Sequence, residues 1–326
     1  MAPKVLVSDK LSETAVNIFR ERGIEVDFKP ELGKDKVELL KVIGDYDGLA
    51  IRSATKATEK IIANAANLKV IGRAGIGTDN IDKAAASKAG IIVMNTPFGN
   101  MTTTAEHAIA MMFAAARQIP EANASTHAGK WEKSRFMGVE LTGKTLGVIG
   151  AGNIGGIVCD RAKGLKMKVI AFDPFLSDEK ASRMEVEKVE LEDLLKRSDF
   201  ITLHVPKTEQ TANMITADRI AMMKPCVRLI NCARGGLVDE AALLASLDHG
   251  KPEVAILDVF ETEPLPGDSP LWAHPRVRVS AHCAGASPVT SQRGDEIFLD
   301  NLGRFVRGEP LQMRVTNLSE VGVGPA

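Results

Sequence analysis

Short apolar runs alternate with amphipathic segments along most of the chain. Before residue 95, the runs of strand length are Val5 to Val7, Glu25 to Phe28, Gly48 to Ile51, Lys69 to Gly72 and Ile91 to Val93. The segments between them, 12–22, 35–43, 58–65 and 80–88, place apolar residues at helical spacing. Strands that alternate regularly with helices predict a parallel sheet covered on both faces.

The alternation continues after a turn-forming cluster at Thr96 to Asn100, which we interpret as a domain boundary. Thr103 and Glu106 then have capping-box spacing ahead of Ala108 to Ala116, an apolar run that predicts a largely buried helix. Six more strands are predicted at 146–149, in the run ending before Asp173, and at 200–205, 227–232, 254–259 and 277–280. A complete doubly wound dinucleotide-binding fold has this number of strands. The last helix, about 295–307, is expected to return to the first domain.

Three glycines follow the strand at 146–149 with G-x-G-x-x-G spacing: Gly150, Gly152 and Gly155. The first permits a tight turn, the second lets a pyrophosphate approach the backbone, and the third lets helix and strand pack closely. The helix that starts here offers free N–H groups and a positive dipole end to phosphates. Asp173 closes the next strand, where an acid would accept hydrogen bonds from the adenosine ribose and repel a 2′-phosphate. The motif therefore predicts NAD rather than NADP.

These patterns predict an α/β fold with two doubly wound parallel-sheet domains, in which a Rossmann NAD-binding domain is inserted into a flavodoxin-like substrate domain. The substrate-binding domain, which lacks a glycine motif, comprises residues 1–98 and 287–326. The dinucleotide-binding domain comprises residues 99–286, with a dimerisation arm at about 120–143. Trp131 in this arm packs on a partner subunit or, alternatively, covers the protein's own core. The tail at 319–326 has no pattern and is expected to be loose.

Composition and charge point away from macromolecular partners. A chain of 326 residues suggests two domains, and its 44% of hydrophobic residues suffices for two cores. The formal net charge of -1, with mixed signs throughout, argues against nucleic acid and membrane surfaces as partners. The four cysteines lie far apart, so no metal site is predicted, and reduced thiols indicate a cytoplasmic protein. No signal peptide and no membrane-spanning apolar run is recognisable.

Three side chains beyond successive strand ends suggest acid–base chemistry: Arg234, Glu263 and His282. A guanidinium can hold a substrate carboxylate with two parallel hydrogen bonds. An imidazole at the neighbouring carbonyl can give a proton as hydride reaches the carbon, and a paired carboxylate would fix its tautomer and raise its pKa. The alternatives are a surface ion pair for Arg234 and a capped strand end for His282. The histidines at 107, 127, 249 and 274 are expected to be structural.

Several motifs make the chain similar to the D-isomer-specific 2-hydroxyacid dehydrogenases. They are IRSATK from Ile51, VIGRAGIGTDNID from Val70, NTPFGNMTTTAEH from Asn95, GKWEKSRFMGVEL from Gly129, INCARGGLVDE from Ile230 and LDVFETEP from Leu257. The resemblance is strongest to the members that oxidise 3-phospho-D-glycerate with NAD, the first step of serine biosynthesis. It implies that Arg234 binds the carboxylate, that Glu263 supports His282, and that His282 is the acid–base.

The predicted binding residues follow from the strand ends and from this resemblance. Those for NAD are Gly150, Gly152, Asn153, Ile154, Gly155, Asp173, His204, Val205, Pro206, Cys232, Ala233, Asp258 and His282, with Asp258 as an acceptor for the nicotinamide carboxamide. Those for the substrate are Arg52, Ser53, Arg73, Gly75 and Arg234, with Lys133 or Arg135 reaching a phosphate in the partner of a homodimer or dimer of dimers. Solvated charge is the alternative for Arg52 and Arg73.

Two features depart from the phosphoglycerate pattern. The run SAHCAGAS places Ala281 and Cys283 beside His282, and Cys283 is either a reactive thiol or a small packing residue. The region from Leu265 to Val315 is more similar to the hydroxypyruvate reductase branch. A reductase of glyoxylate, hydroxypyruvate or another 2-keto acid is therefore one alternative function, and a dinucleotide-sensing, corepressor-like binding protein is another.

Overall fold

The computed structural model describes residues 2–75, 77–96 and 99–309. The chain separates into two compact units, one of residues up to Asn100 together with those from Ala286 onward, and one of Met101–Gly285. Pro97 and Phe98 of the predicted boundary cluster lie outside the described residues, as does the tail at 319–326. The assignment of one unit to substrate and the other to dinucleotide remains a prediction.

The first unit contains a five-stranded parallel sheet in the order β2-β1-β3-β4-β5. Its elements are β1 (Lys4–Val7), α1 (Glu13–Glu21), β2 (Glu25–Phe28), α2 (Lys36–Val42), β3 (Gly48–Ile51), α3 (Glu59–Ala63), β4 (Val70–Arg73), α4 (Lys83–Lys88) and β5 (Ile92–Asn95). Strands β1, β3, β4 and β5 are largely buried, as the interior of a parallel sheet requires, whereas the edge strand β2 is partly exposed. This strand order is the flavodoxin-like one, so the predicted fold of this unit is confirmed.

The second unit contains a seven-stranded parallel sheet in the order β12-β11-β10-β9-β6-β7-β8. Its helices are α5 (Met101–Arg117), α6 (Ile119–His127), α7 (Asn153–Gly164), α8 (Asp178–Met184), α9 (Leu191–Arg197), α10 (Ala217–Met222) and α11 (Glu240–Asp248). Its strands are β6 (Thr145–Ile149), β7 (Lys168–Phe172), β8 (Glu187–Lys188), β9 (Phe200–Leu203), β10 (Arg228–Asn231), β11 (Val254–Leu257) and β12 (Val277–Val279). The order reverses beside β6, as in a Rossmann fold, so this prediction is confirmed as well.

Two elements of the second unit differ from the sequence prediction. The second sheet has a seventh strand, β8, which consists of two exposed residues and has no hydrophobic pattern by which to recognise it. The helix predicted from the Thr103–Glu106 capping box begins at Met101, so Thr103 lies inside the helix and does not cap it.

The last helix, α12 (Pro288–Val306), begins seven residues earlier than predicted, with the Ser287 hydroxyl capping its first turn. Phe298, Leu299 and Leu302 on this helix are buried with Val5 and Val7 of β1. The end of the described chain therefore completes the core of the first unit. No helix among the described residues is both long enough and apolar enough to cross a membrane.

Candidate active site

The carboxyl ends of the second sheet carry the residues predicted to bind NAD and to catalyse. Gly150 follows β6, Asp173 follows β7, His204 to Pro206 follow β9, Cys232 to Arg234 follow β10, Asp258 follows β11 and His282 lies three residues beyond β12. Because all seven strands are parallel, these ends lie along one edge of the sheet. Ligands of doubly wound folds bind outside this edge.

The glycine motif forms the turn that its sequence predicts. Gly150 has φ of +92°, a left-handed conformation that glycine adopts without strain, and α7 begins three residues later at Asn153. A Cβ on Gly155 would lie 1.9 Å from the carbonyl oxygen of Gly150, so only glycine allows this close packing. A Cβ on Gly152 would meet nothing within 4 Å, which leaves the backbone there open to a ligand.

Asp173 lies beside this turn and helps to hold it. Its carboxylate accepts hydrogen bonds from the backbone N–H groups of Ala151 and Phe175, both at 2.8 Å. The acid predicted for the ribose is therefore fixed against the glycine turn itself. Together with the open backbone at Gly152 and the N-terminus of α7, this arrangement fits a dinucleotide whose pyrophosphate rests on the turn.

His282 and Glu263 form the hydrogen-bonded pair expected from the sequence. His282 Nδ1 lies 2.6 Å from Glu263 Oε2, while Oε1 of the same carboxylate accepts the N–H of Phe260 at 3.0 Å. The hydrogen bond that the imidazole donates to Glu263 raises the pKa of His282 above its ordinary value, although partial burial opposes the shift. Burial acts to raise the pKa of Glu263, but the hydrogen bonds from His282 and Phe260 outweigh it and lower the pKa. The pair therefore favours an imidazolium beside a carboxylate.

Arg234 lies near this pair. Its positive charge acts against protonation of His282, in opposition to Glu263. The loop that carries it is fixed by Asn231, whose side-chain amide donates to the carbonyl oxygen of Arg234 at 2.9 Å. The structure thus brings Arg234, Glu263 and His282 together at one end of the sheet, within a single unit. A guanidinium next to an imidazole can orient an acid substrate by its carboxylate.

Asp258 has a structural role that the sequence reasoning missed. The side chain is fully buried, and it accepts hydrogen bonds from the N–H groups of Cys283 at 3.0 Å and Ala284 at 2.9 Å and from the hydroxyl of Ser280 at 2.6 Å. The carbonyl oxygen of Asp258 accepts the N–H of His282 at 2.8 Å. Asp258 therefore holds the loop that presents the imidazole. An aspartate directly after a buried strand was the available signal.

The same loop contains a strained backbone position. His282 has φ of +49°, in the left-handed region that few non-glycine residues adopt. Such a conformation persists only where surrounding contacts hold it, and the hydrogen bonds to Asp258 are those contacts.

The predicted substrate residues of the other unit lie at the carboxyl ends of its strands. Arg52 and Ser53 follow β3, Arg73 ends β4 and Gly75 lies just beyond it. Asp9, after β1, accepts the N–H of Arg52 at 2.6 Å and interacts with Thr55 through its N–H and its hydroxyl. The amide of Asn80 donates to the carbonyl oxygens of Arg52 and Thr55 at 2.6 and 2.7 Å. The loop that carries Arg52 is thus fixed from both sides.

Lys133 and Arg135 belong to the exposed segment that follows α6. Arg135 pairs with Glu132 at 3.0 Å, and Trp131 is 88% exposed. The alternative prediction, that Trp131 covers the protein's own core, is therefore wrong. Whether this segment contacts a partner subunit remains a prediction.

Residues 109–284 match the family model described as "D-isomer specific 2-hydroxyacid dehydrogenase, NAD binding domain". The chain belongs to this family. The matched residues lie within the second unit, which also contains the glycine turn. The resemblance stated from the motifs is therefore confirmed, and so is NAD as the cofactor.

Several family members are similar over nearly the whole chain. A D-3-phosphoglycerate dehydrogenase of Archaeoglobus fulgidus is 44% identical over 96% of the chain but over only 59% of its own length. One from Synechocystis is 47% identical over 89% of the chain and 51% of its own length. The chain therefore spans little more than half the length of these curated relatives.

Two solved structures match this chain over nearly the whole length of both proteins. A protein of Thermus thermophilus gives a TM-score of 0.89 at 33% identity, covering 96% of this chain and 99% of that one. A glyoxylate reductase of Paecilomyes thermophila gives 0.87 at 28% identity, covering 98% and 99%.

Proposed function

We propose that the protein is an NAD-dependent dehydrogenase that oxidises 3-phospho-D-glycerate to 3-phosphohydroxypyruvate. The observation that carries the proposal is the His282–Glu263 pair at 2.6 Å, close to Arg234 at the NAD-binding edge of the second sheet. Relatives named D-3-phosphoglycerate dehydrogenase at 41–47% identity support the choice of substrate.

In this mechanism, Arg234 holds the substrate carboxylate with two parallel hydrogen bonds and so orients the adjacent C2 carbon. His282 Nδ1 donates to Glu263, which leaves the Nε2 lone pair to take the proton of the C2 hydroxyl. Bound NAD supplies the acceptor for the hydride that leaves C2. The imidazolium that forms is stabilised by the Glu263 carboxylate, and in the reverse direction it returns the proton to the carbonyl oxygen.

The cationic residues of the first unit and of the segment after α6 would bind the phosphate of the substrate. Arg52 and Arg73 are the candidates in the first unit, and Lys133 or Arg135 would reach the site of a second subunit. Trp131 and Met137, which are 88% and 80% exposed, give the segment after α6 the apolar surface that a subunit contact buries. We accordingly propose a homodimer or a dimer of dimers, acting in serine synthesis in the cytoplasm.

A second candidate function keeps the chemistry and changes the substrate to glyoxylate, hydroxypyruvate or another unphosphorylated 2-keto acid. The glyoxylate reductase structure that matches this chain over 98% of its length favours this candidate, as do the residues flanking His282. The two functions differ in the need for the substrate phosphate, since only the first requires cationic contacts to it.

A substrate panel run in both directions with NAD and NADP tests the proposal. We expect kcat/KM for 3-phosphoglycerate to exceed that for D-glycerate by about 10²-fold or more, because charge-assisted hydrogen bonds contribute roughly 1.5–3 kcal/mol each. We also expect NAD to be preferred over NADP, because Asp173 repels a 2′-phosphate. Comparable kcat/KM with and without the phosphate favours the reductase, and no turnover on any acid revives the dinucleotide-sensing alternative.

A further inference from the structure

An imidazole, a carboxylate and a thiol converge at the loop that carries His282. His107 lies on α5, Asp258 follows β11 and Cys283 follows β12, all within the second unit. Cys283 Sγ lies 3.5 Å and His107 Nε2 lies 3.7 Å from the same oxygen, Asp258 Oδ1. The three atoms all lie within 4.8 Å of one another. One ion could therefore contact all three with small side-chain movements.

His107 differs from an ordinary structural histidine. Its Nε2 atom is buried, and it has no hydrogen-bond partner within the part of the chain that the structure describes. The distance of 3.7 Å to Asp258 is too long for a hydrogen bond. Because buried polar atoms are almost always satisfied, this nitrogen suggests a ligand between the imidazole and the carboxylate.

We propose that His107, Asp258 and Cys283 form a binding site for a thiophilic divalent cation such as Zn²⁺. Tetrahedral zinc with bonds of about 2.3 Å to sulfur and about 2.0–2.1 Å to nitrogen and oxygen requires ligand separations of roughly 3.3–3.6 Å. The separations of 3.5 and 3.7 Å at Asp258 Oδ1 are close to these values. Water would complete the fourth position.

Binding replaces one proton and involves no oxidation. The thiol of Cys283 now donates to Asp258 Oδ1, and the cation would take the place of that proton, which leaves to solvent. The thiolate and the imidazole select soft and borderline cations such as Zn²⁺ and Cd²⁺ over Mg²⁺ or Ca²⁺. A buffer containing only Mg²⁺ should therefore leave the site without its cation.

The consequence for catalysis rests on the proposed function. Asp258 fixes the loop of His282 through the N–H groups of Cys283 and Ala284. A cation that draws the side chains of Asp258 and Cys283 toward itself would shift the loop between them and so change the position of the His282 imidazole. It would also occupy the end of β11, where the nicotinamide is expected. We therefore expect Zn²⁺ to inhibit turnover and NAD to protect against it.

Cadmium titration of the whole chain without cofactor or substrate tests the site directly, because a thiolate–cadmium bond has its own ultraviolet charge-transfer band. We expect one Cd²⁺ per chain. Cys283→Ala should remove the band, and His107→Gln should weaken binding by at least about tenfold, the lower end of what losing even an outer-sphere partner costs. Cys226→Ala is the matched control, since Cys226 is an exposed thiol far along the chain from this cluster, and it should bind as the wild type does.

Two results would overturn the proposal. If Cys226→Ala removes the band, the metal binds elsewhere; if His107→Gln binds with unchanged affinity, Cys283 acts as a solitary thiol. Circular dichroism of each variant establishes that it is folded, and Cys283→Ser, which keeps the size of the side chain, replaces Cys283→Ala if the latter is not. Because the titration needs no turnover, it succeeds or fails independently of the dehydrogenase assignment.

Discussion

Each of the two parallel sheets has a buried aspartate just beyond one strand, and this aspartate holds the loop of the neighbouring strand. In the first unit, Asp9 follows β1 and holds the loop after β3, which carries Arg52. In the second unit, Asp258 follows β11 and holds the loop after β12, which carries His282. Asp9 is 2% exposed and Asp258 is fully buried. Both thus fix a loop at the carboxyl end of a sheet.

The two carboxylates differ in how their oxygens are used. Asp9 Oδ2 accepts both backbone N–H groups, from Arg52 and Thr55, while Oδ1 faces a hydroxyl that can also accept. In Asp258, each of the two oxygens accepts a backbone N–H, and Oδ1 additionally accepts the hydroxyl of Ser280 and the thiol of Cys283. The first position therefore needs one strong acceptor, whereas the second needs two. Asp9 therefore serves as a purely structural carboxylate. Asp258 also has a thiol and an imidazole close to it, which could bind a ligand.

The largest effect on turnover is expected from removing the imidazole of His282, which lies on the loop that Asp258 holds. His282→Asn should lower kcat by about 10²–10⁴-fold, because it removes the acid–base while asparagine still tolerates the left-handed backbone. NADH affinity, measured by fluorescence titration, should hardly change. His249→Asn, at an exposed histidine after α11, is the control and should keep full activity. Turnover that survives His282→Asn would show that another group carries the proton.

Asp258→Asn should lower the free energy of unfolding by about 1–3 kcal/mol, because either orientation of the amide turns its NH₂ toward a backbone N–H. Chemical denaturation measures the loss, and hydrogen exchange should show faster exchange at Cys283 and Ala284. Unchanged exchange at these two residues would contradict the role given to the carboxylate.

Asp9→Asn should cost less, within about 1 kcal/mol, although Asp9 is almost as buried. The amide oxygen can keep both N–H groups, and the NH₂ can face the Thr55 hydroxyl, which then acts as acceptor. The same denaturation experiment compares the two variants. Equal losses for Asp9→Asn and Asp258→Asn would remove the distinction drawn between the two loops.

Glu263→Gln should change the pH profile more than the maximal rate. Because Glu263 raises the pKa of His282, the wild-type imidazole stays protonated to higher pH. Reduction of the keto acid needs the imidazolium, so its rate in the variant should begin to fall at a lower pH than in the wild type. Oxidation needs neutral His282, so its rate in the variant should begin to rise at a lower pH. The pH dependence of kcat/KM in both directions measures the shift. A profile that moves toward higher pH would have the wrong sign.

The linkage to stability follows the same signs. Because the pKa of His282 is raised in the folded protein, this residue stabilises the fold at pH values below its unfolded pKa. The stabilisation is lost as the pH rises through the folded pKa. Because the pKa of Glu263 is lowered in the folded protein, this residue stabilises the fold at pH values above its unfolded pKa. The stabilisation is lost as the pH falls through the folded pKa. Both side chains are partly exposed, so solvent screening keeps these contributions small.

Hydrophobic periodicity was enough to predict the two sheets and to place the carboxyl ends of the predicted strands within about two residues, because buried parallel strands have continuous apolar runs. It missed β8, since two exposed residues pairing only with β7 carry no such run. The glycine turn was predictable from the spacing of its glycines, and the pair His282–Glu263 from the strand ends together with the family resemblance.

The contacts of Asp9 and Asp258 were not predictable in this way. Asp9 bonds to residues 43 and 46 positions away, and Asp258 to residues 25 and 26 positions away. His107 shows the same limit, because only the packing of α5 against the second sheet brings its ring to Asp258. Contacts between loops of neighbouring strands depend on register, which no local pattern along the chain specifies.

The left-handed backbone at His282 also limits how this protein could be given new chemistry. Glycine adopts this conformation without strain, and asparagine, aspartate and histidine adopt it more readily than most other residues, although Gln118, Lys166 and Glu185 also have positive φ in this chain. Most other side chains placed at position 282 would therefore add roughly 1–2 kcal/mol of backbone strain to the loop, besides removing the imidazole. New reactivity is better sought by changing the neighbours of the imidazole than by replacing it.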